Sequence, residues 1–149
     1  AGARITHVPY RGAGPALNAV IAGEAQLMIA TLGSCLAYIR AGRLRALALA
    51  GVQRSSLMPE LPTVAEAGLA GYAADNWYGV LVPRGTPRDI VAALNRELAA
   101  IIASGAAREQ FAALGFEPAT SSPDEFARHL AAELAKWARV VKAAGLAPQ

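Results

Sequence analysis

Three features of the sequence predict an α/β fold. Short runs rich in aliphatic, β-branched or aromatic residues recur at Ile5–Val8, Gln26–Ala30, Leu44–Ala50 and Trp77–Val82. Helix-period patterns separate them and occupy nearly everything after Val82. Glycine and proline mark most of the changes from one pattern to the next. Strands interleaved with helices are the signature of an α/β architecture, and 149 residues is the length of one domain rather than two.

Each element has its own signal. Ile5–Val8 is β-branched, and Pro15 to about Ala22 reads as a helix with Leu17, Val20 and Ile21 on one face. Ser34–Arg40 reads as a second helix stopped by Gly42, and Leu44–Ala50 as an apolar run bounded by Gly51. Pro59 and Pro62 mark a connector. Thr63-Val-Ala-Glu66 has the form of a capping box, with Gly68 as its stop. Trp77–Val82, aromatic and β-branched and ended by Pro83, is the clearest strand.

The C-terminal part is helical by pattern. Thr86-Pro87-Arg88-Asp89 predicts a cap, a proline at the first helical position and an early acid. Ile90, Val91, Leu94, Leu98, Ile101 and Ile102 then form an apolar face, with Gly105 as the stop. A shorter helix runs to Leu114 and Gly115. Ser122-Pro123-Asp124-Glu125 repeats the capping chemistry ahead of Phe126, Leu130, Leu134, Trp137 and Val141, which recur every three or four residues. That stripe, Phe126 and Trp137 included, is expected to face a core. Two such helices need a sheet to cover, and only one predicted strand lies near them in sequence.

Composition bounds the function. The chain is 54% hydrophobic and 17% charged, which excludes a disordered tail, and 36 alanines make its core less bulky than that fraction implies. No apolar run reaches the roughly 18 residues of a membrane span. Residues 1–60 carry six arginines against Glu24 and Glu60, a net +4, and the remainder carries −1. The basic residues are scattered without aromatic interleaving, which argues against nucleic acid as a partner. Cys35 is the single cysteine, so no internal disulfide is expected. His7 and His129 stand apart with no acidic or cysteine cluster, so no metal or other cofactor is expected. The chain opens without an initiator Met or a signal-peptide pattern. The expectation is a removed leader or a start inside a longer protein.

The segment that carries chemistry is Val8-Pro-Tyr-Arg-Gly-Ala-Gly-Pro-Ala16. A strand ends, a glycine-bearing loop follows, and Pro15 is expected at the first helical position. Gly14 would then be the N-cap, with the amides of Ala16 and Leu17 unpaired at the helix end. Such a terminus attracts anions through aligned amides and the helix dipole. The pattern is neither a Walker loop nor the dinucleotide fingerprint, and an ordinary tight strand-to-helix turn would read the same way.

His7-Val-Pro-Tyr-Arg-Gly-x-x-Pro-Ala16 resembles the Val-Pro-Tyr-Lys-Gly-x-x-Pro-Ala motif of the tripartite tricarboxylate transporter substrate-binding (Bug) proteins. The likeness continues, in family order, through Ile39-Arg-Ala-Gly-Arg-Leu-Arg-Ala-Leu-Ala48, Pro59-Glu-Leu-Pro-Thr-Val-Ala-Glu-Ala-Gly68, Trp77-Tyr-Gly79, Pro83-Arg-Gly-Thr-Pro87 and Lys136-Trp-Ala-Arg-Val-Val-Lys-Ala-Ala-Gly145. The resemblance implies a periplasmic-binding-protein-like α/β fold with two lobes around a cleft, of which this chain is the C-terminal half. Residues 1–72 would belong to the second lobe and carry the anion-binding loop. Residues 73–149 would supply the crossover strand and the C-terminal helices that complete the first lobe.

The same resemblance implies a periplasmic protein that captures a small carboxylate and delivers it to the membrane subunits of a transporter. Carried over residue by residue, its ligand contacts fall on Tyr10, Gly12, Ala13, Gly14 and Ala16, then on Thr31 and Ser34, and on Trp77. Ala30-Thr31 stands where the family often has Asp-Asn, which removes an acceptor. A homodimer would follow if a second copy supplied the missing lobe in trans. The alternatives are a truncated remnant with a structural or interaction role, or a small hydrolase recruiting Ser34, His7 and Asp75. Ser34 sits in Gly-Ser-Cys rather than in a nucleophile elbow, so no catalytic residue is predicted.

Overall fold

A computed structural model describes residues 4–146; residues 1–3, where the chain opens, lie outside the described residues. The described residues contain five helices: α1 (Ala13–Ala22), α2 (Leu32–Arg40), α3 (Arg88–Ala103), α4 (Gly105–Ala113) and α5 (Pro123–Ala143). The chain divides into two compact units. The first comprises residues 1–79 with 108–117, and the second residues 80–107 with 118–149.

In the first unit α1 packs against α2. Leu17 and Ala19 of α1 and Leu36 of α2 are buried, as are Ser55, Leu61 and Thr63 from the connector. The connector is stitched to the run before it: Leu49 donates to the Pro62 carbonyl and Val64 to the Leu49 carbonyl, each at 2.8 Å. These bonds make a parallel bridge between Leu49 and Thr63. Thr63 and Glu66 form the reciprocal capping bonds the sequence predicted, Thr63 N to Glu66 Oε2 at 2.8 Å and Glu66 N to Thr63 Oγ1 at 3.1 Å. They cap a single turn that ends at Gly68, not a helix. Arg54 Nε holds the same carboxylate oxygen at 2.9 Å.

The second unit holds α3 against α5 and buries none of its described residues. The α5 capping box is the predicted one: Ser122 Oγ accepts from the Glu125 amide while the Glu125 carboxylate accepts from the Ser122 amide, with Pro123 opening the helix. The start of α3 differs from expectation. Pro87 is the N-cap rather than the first helical residue, and the Thr86 hydroxyl donates to the Pro83 carbonyl at 2.8 Å instead of capping. Gly105 opens α4 instead of ending α3, and Ser104 Oγ accepts from the Ala107 amide to cap it. Trp137, expected in the core, is 43% exposed, and its indole donates to Glu133 at 2.9 Å.

The four predicted runs do not form strands. Apart from the Leu49–Thr63 bridge, no strand ladder forms among the described residues. The physical reason is that a strand's amides and carbonyls are satisfied by neighbouring strands, not by the strand itself. These runs show what their sequence prepared them for. Along Gln26–Ala30, Met28 and Ala30 are half-buried while Leu27 and Ile29 point out, and along Leu44–Ala50, Leu47 does the same. Runs apolar on both faces are the pattern of strands covered on both sides.

Candidate functional site

The Val8–Ala16 loop enters α1 through a turn in which the Gly12 amide donates to the Tyr10 carbonyl at 2.9 Å. Gly12, at φ 103°, occupies backbone space that a side chain rarely adopts, and it is the N-cap of α1. The helix therefore starts two residues before the position read from the sequence. Pro15 is its third residue rather than its first, and Gly14 is its second rather than its cap. The consequence is specific: Ala13 and Gly14 carry the amides with no acceptor inside the helix, whereas Ala16 stands where intrahelical bonding begins. No side chain caps this end and no acid lies in its first turn. A Cβ on Gly14 would meet open space. The terminus is therefore an uncompensated positive end with two amides and room in front of it.

The second region is the start of α2. Thr31 is its N-cap, again ahead of the start predicted from Ser34, yet the threonine hydroxyl caps no amide. It donates instead to Ser34 Oγ at 3.2 Å, and Ser34 Oγ donates to the Thr31 carbonyl at 2.8 Å. Thr31 and Ser34 are thus brought together as predicted. The Ser34 proton is committed to a carbonyl, which cannot take it as a general base would. Cys35 shares the turn, its thiol donating to the Thr31 and Leu32 carbonyls at 3.4 and 3.5 Å. Burial raises its pKa and outweighs the opposing backbone hydrogen bond, which favours the protonated thiol.

Trp77 is half-buried and follows a segment fastened by the Ala74 amide to the Ala50 carbonyl at 2.8 Å. Asp75 is exposed, and its carboxylate lies against the Cα face of Gly51, where a side chain on residue 51 would collide with it. Tyr10, Gly12, Ala13 and Gly14 are exposed, and Ala16, Thr31 and Ser34 are half-buried. All these residues belong to the first unit.

A second set of contacts in the same unit leaves no mark in the sequence pattern. Gly33 of α2 meets the backbone of Leu114 and Gly115, at the turn that closes α4. Two residues on, Glu117 Oε1 accepts from the Ser56 amide at 2.7 Å and from the Ser56 hydroxyl at 2.5 Å. Partial burial pushes the Glu117 pKa up, but the Ser56 hydroxyl and amide outweigh it and hold the carboxyl below its ordinary range. The one usable sequence signal was Gly115 as a helix stop, which places a turn but not what it touches. Among the described residues no group of three or more His, Cys, Asp or Glu could hold a metal ion, and no single helix is long and apolar enough to cross a membrane.

Residues 1–146 match the tripartite tricarboxylate transporter family receptor. The protein BugT of Bordetella pertussis is 38% identical over 144 residues, 97% of this chain and 44% of that protein. The solved structure of Rhodopseudomonas palustris Rpa4515 with adipate superposes with a TM-score of 0.84 at 40% identity, covering 99% of this chain and 50% of the other. MatC from the same organism, with bound malate, gives a TM-score of 0.70 at 32% identity, covering 90% and 47%. The chain thus spans about half the length of the proteins it matches. The fold predicted from the sequence, α/β and periplasmic-binding-protein-like, is the one it shares with them.

Proposed function

Because the chain belongs to the tripartite tricarboxylate transporter receptor family, we propose that it works as the C-terminal half of a two-lobed periplasmic protein that captures a small carboxylate for the transporter's membrane subunits. Its part is recognition by hydrogen bonds, without covalent chemistry. Residues 1–72 carry the anion-binding loop of the second lobe, and residues 73–149 contribute to the first.

The observation that carries this reading is the uncapped start of α1. The amides of Ala13 and Gly14 receive one carboxylate, framed by Tyr10 and Gly12, with Ala16 closing the turn. The helix dipole adds about 0.3–1 kcal/mol in an exposed setting, so useful affinity requires the first lobe to close over the anion and exclude water. The Thr31 hydroxyl, which caps no amide, exchanges its bond to Ser34 for one to the ligand while Ser34 keeps its bond to the backbone. Trp77 offers an apolar wall. Adipate and malate, named with two of the relatives, are both dicarboxylates. A ligand with a carboxylate at each end would use the α1 terminus for one and leave the other for Thr31 and Ser34. Ala30 supplies no acceptor there, which disfavours a ligand that must donate at that end.

A thermal-shift series of this chain against mono-, di- and tricarboxylates, with its mass measured alongside, tests the reading. A ligand of the native state at 100 times its Kd adds about 2.7 kcal/mol, so a dicarboxylate at millimolar concentration is expected to raise the melting temperature. Ala13→Pro removes one of the two free amides at a position where proline suits the helix, and Gly12→Asp adds a like charge. Both are expected to abolish the shift. If both variants responded like the parent, the α1 terminus would not be the anion site. A flat response to every carboxylate would refute binding by this chain.

A further inference from the structure

We propose that the turn closing α4 positions the first turn of α2 through a backbone-to-backbone contact between Gly33 and Gly115, locked by the Glu117 carboxylate on Ser56. Gly33 is the second residue of α2, between Thr31 and Ser34. A Cβ built there would collide with the Leu114 carbonyl oxygen and lie 3.3 Å from the carbonyl carbon. A Cβ on Gly115 would strike the Gly33 Cα and lie 2.6 Å from the Gly33 nitrogen and 3.2 Å from the Leu32 carbonyl carbon. Gly115 also sits at φ 75°, in the left-handed region. Gly42, Gly105 and Gly145, by contrast, have open space where a Cβ would go. Two backbones 82 positions apart in sequence thus touch where no side chain fits.

The turn is braced on either side of that contact. Glu117 accepts both the amide and the hydroxyl of Ser56, and the Phe116 amide donates to the Phe111 carbonyl at 2.8 Å. The Phe116 ring meets Tyr78 edge to face, centroids 5.4 Å apart. Moving this turn moves the backbone of Leu32 and Gly33, and with it the hydrogen bonds joining Thr31, Ser34 and Cys35. The relevance to ligand affinity rests on the reading of Thr31 and Ser34 given above. The positioning itself does not.

Cys35 supplies a native reporter, because its thiol bonds to carbonyls of this same turn and is the only thiol in the chain. Cys35 is half-buried, so the rate at which a disulfide reagent labels the full chain reads how well this turn covers and holds the thiol. Gly33→Ala is decisive, since helix propensity alone favours alanine and would tighten the turn. We expect instead a rise in labelling rate of about five-fold or more, with far-ultraviolet dichroism unchanged. Glu117→Ala, which leaves the backbone alone, is expected to raise the rate about two- to three-fold, and Gly105→Ala to leave it at the parent value. Should Gly33→Ala unfold the chain, Glu117→Ala decides. A parent-like labelling rate in Glu117→Ala, or in a folded Gly33→Ala, overturns the proposal. A carboxylate titration of the same variants separates the two readings. Faster labelling with no carboxylate response in any variant would sustain the positioning contact and refute Thr31 and Ser34 as ligand contacts.

Discussion

The two units of the chain invert the relation between pattern and burial. The most regular amphipathic helices, α3 and α5, stand in the second unit, which buries none of its described residues. The first unit, with two helices of nine or ten residues and irregular connectors, contains every buried residue among those described: Leu17, Ala19, Leu36, Ser55, Leu61 and Thr63. Pattern and caps make a helix form, but burial needs a second surface. The first unit closes on itself because α1 and α2 pack together and the connector folds back through the Leu49–Thr63 bridge. The second offers α3 and α5 to each other and leaves Leu134 66% exposed.

This contrast can be broken at its widest point. Leu36→Ala removes a side chain that is 5% exposed and is expected to cost about 2–5 kcal/mol in urea denaturation. Leu134→Ala is expected to change stability by no more than about 0.5 kcal/mol. Equal costs would mean that the second unit has a core of its own. A smaller effect sharpens the comparison at the helix ends. Ser122→Ala deletes a complete capping box and is expected to cost about 1 kcal/mol, read as lost helicity and faster amide exchange at the start of α5. Thr31→Ala is expected to leave the α2 amides unchanged, because that hydroxyl caps nothing.

The smallest effect is in pH. Glu66 is held below its ordinary range by the Thr63 amide first and by Arg54, and Glu125 by the Ser122 amide and then its hydroxyl. Glu117 is also lowered, by Ser56 against the opposing effect of burial. A carboxyl whose pKa is lower in the folded state binds its proton more readily when unfolded. Its contribution is therefore complete above the ordinary carboxylate range and disappears as pH falls through the folded value. The chain is expected to lose stability on acidification through that window, and Glu117→Gln to flatten the slope there. An unchanged slope would mean that the Ser56 bonds do not persist in solution.

What the sequence made legible was local. The Ser122–Glu125 box, the Thr63–Glu66 pair and the Gly115 stop were readable because each is a bond or dihedral within four residues. Helix starts were displaced where a residue suits more than one position. Pro15 is tolerated throughout a first turn, so it located that turn without fixing its register. Thr86 looked like a cap, but Pro83 offered its hydroxyl a nearer carbonyl. The Gly33–Gly115 contact was invisible, since glycines leave no hydrophobic period and the partners are far apart in sequence. Strand pairing was invisible for the complementary reason: the runs announce themselves, but their partners do not.

The Trp77–Val82 segment has a practical consequence. Tyr78, Val80 and Leu81 are 73%, 68% and 72% exposed in a segment with no ladder partner among the described residues. Six uncharged residues, all but Gly79 apolar or aromatic, in that state are a template for intermolecular cross-β stacking. Pro83 and Arg84 follow at once, a residue that cannot donate to a ladder and a charge that repels its own copy, the pair of gatekeepers that limits such growth. Removing them by Pro83→Val with Arg84→Leu would turn a strand awaiting its neighbour into a nucleus for fibrils, visible as concentration-dependent dye binding.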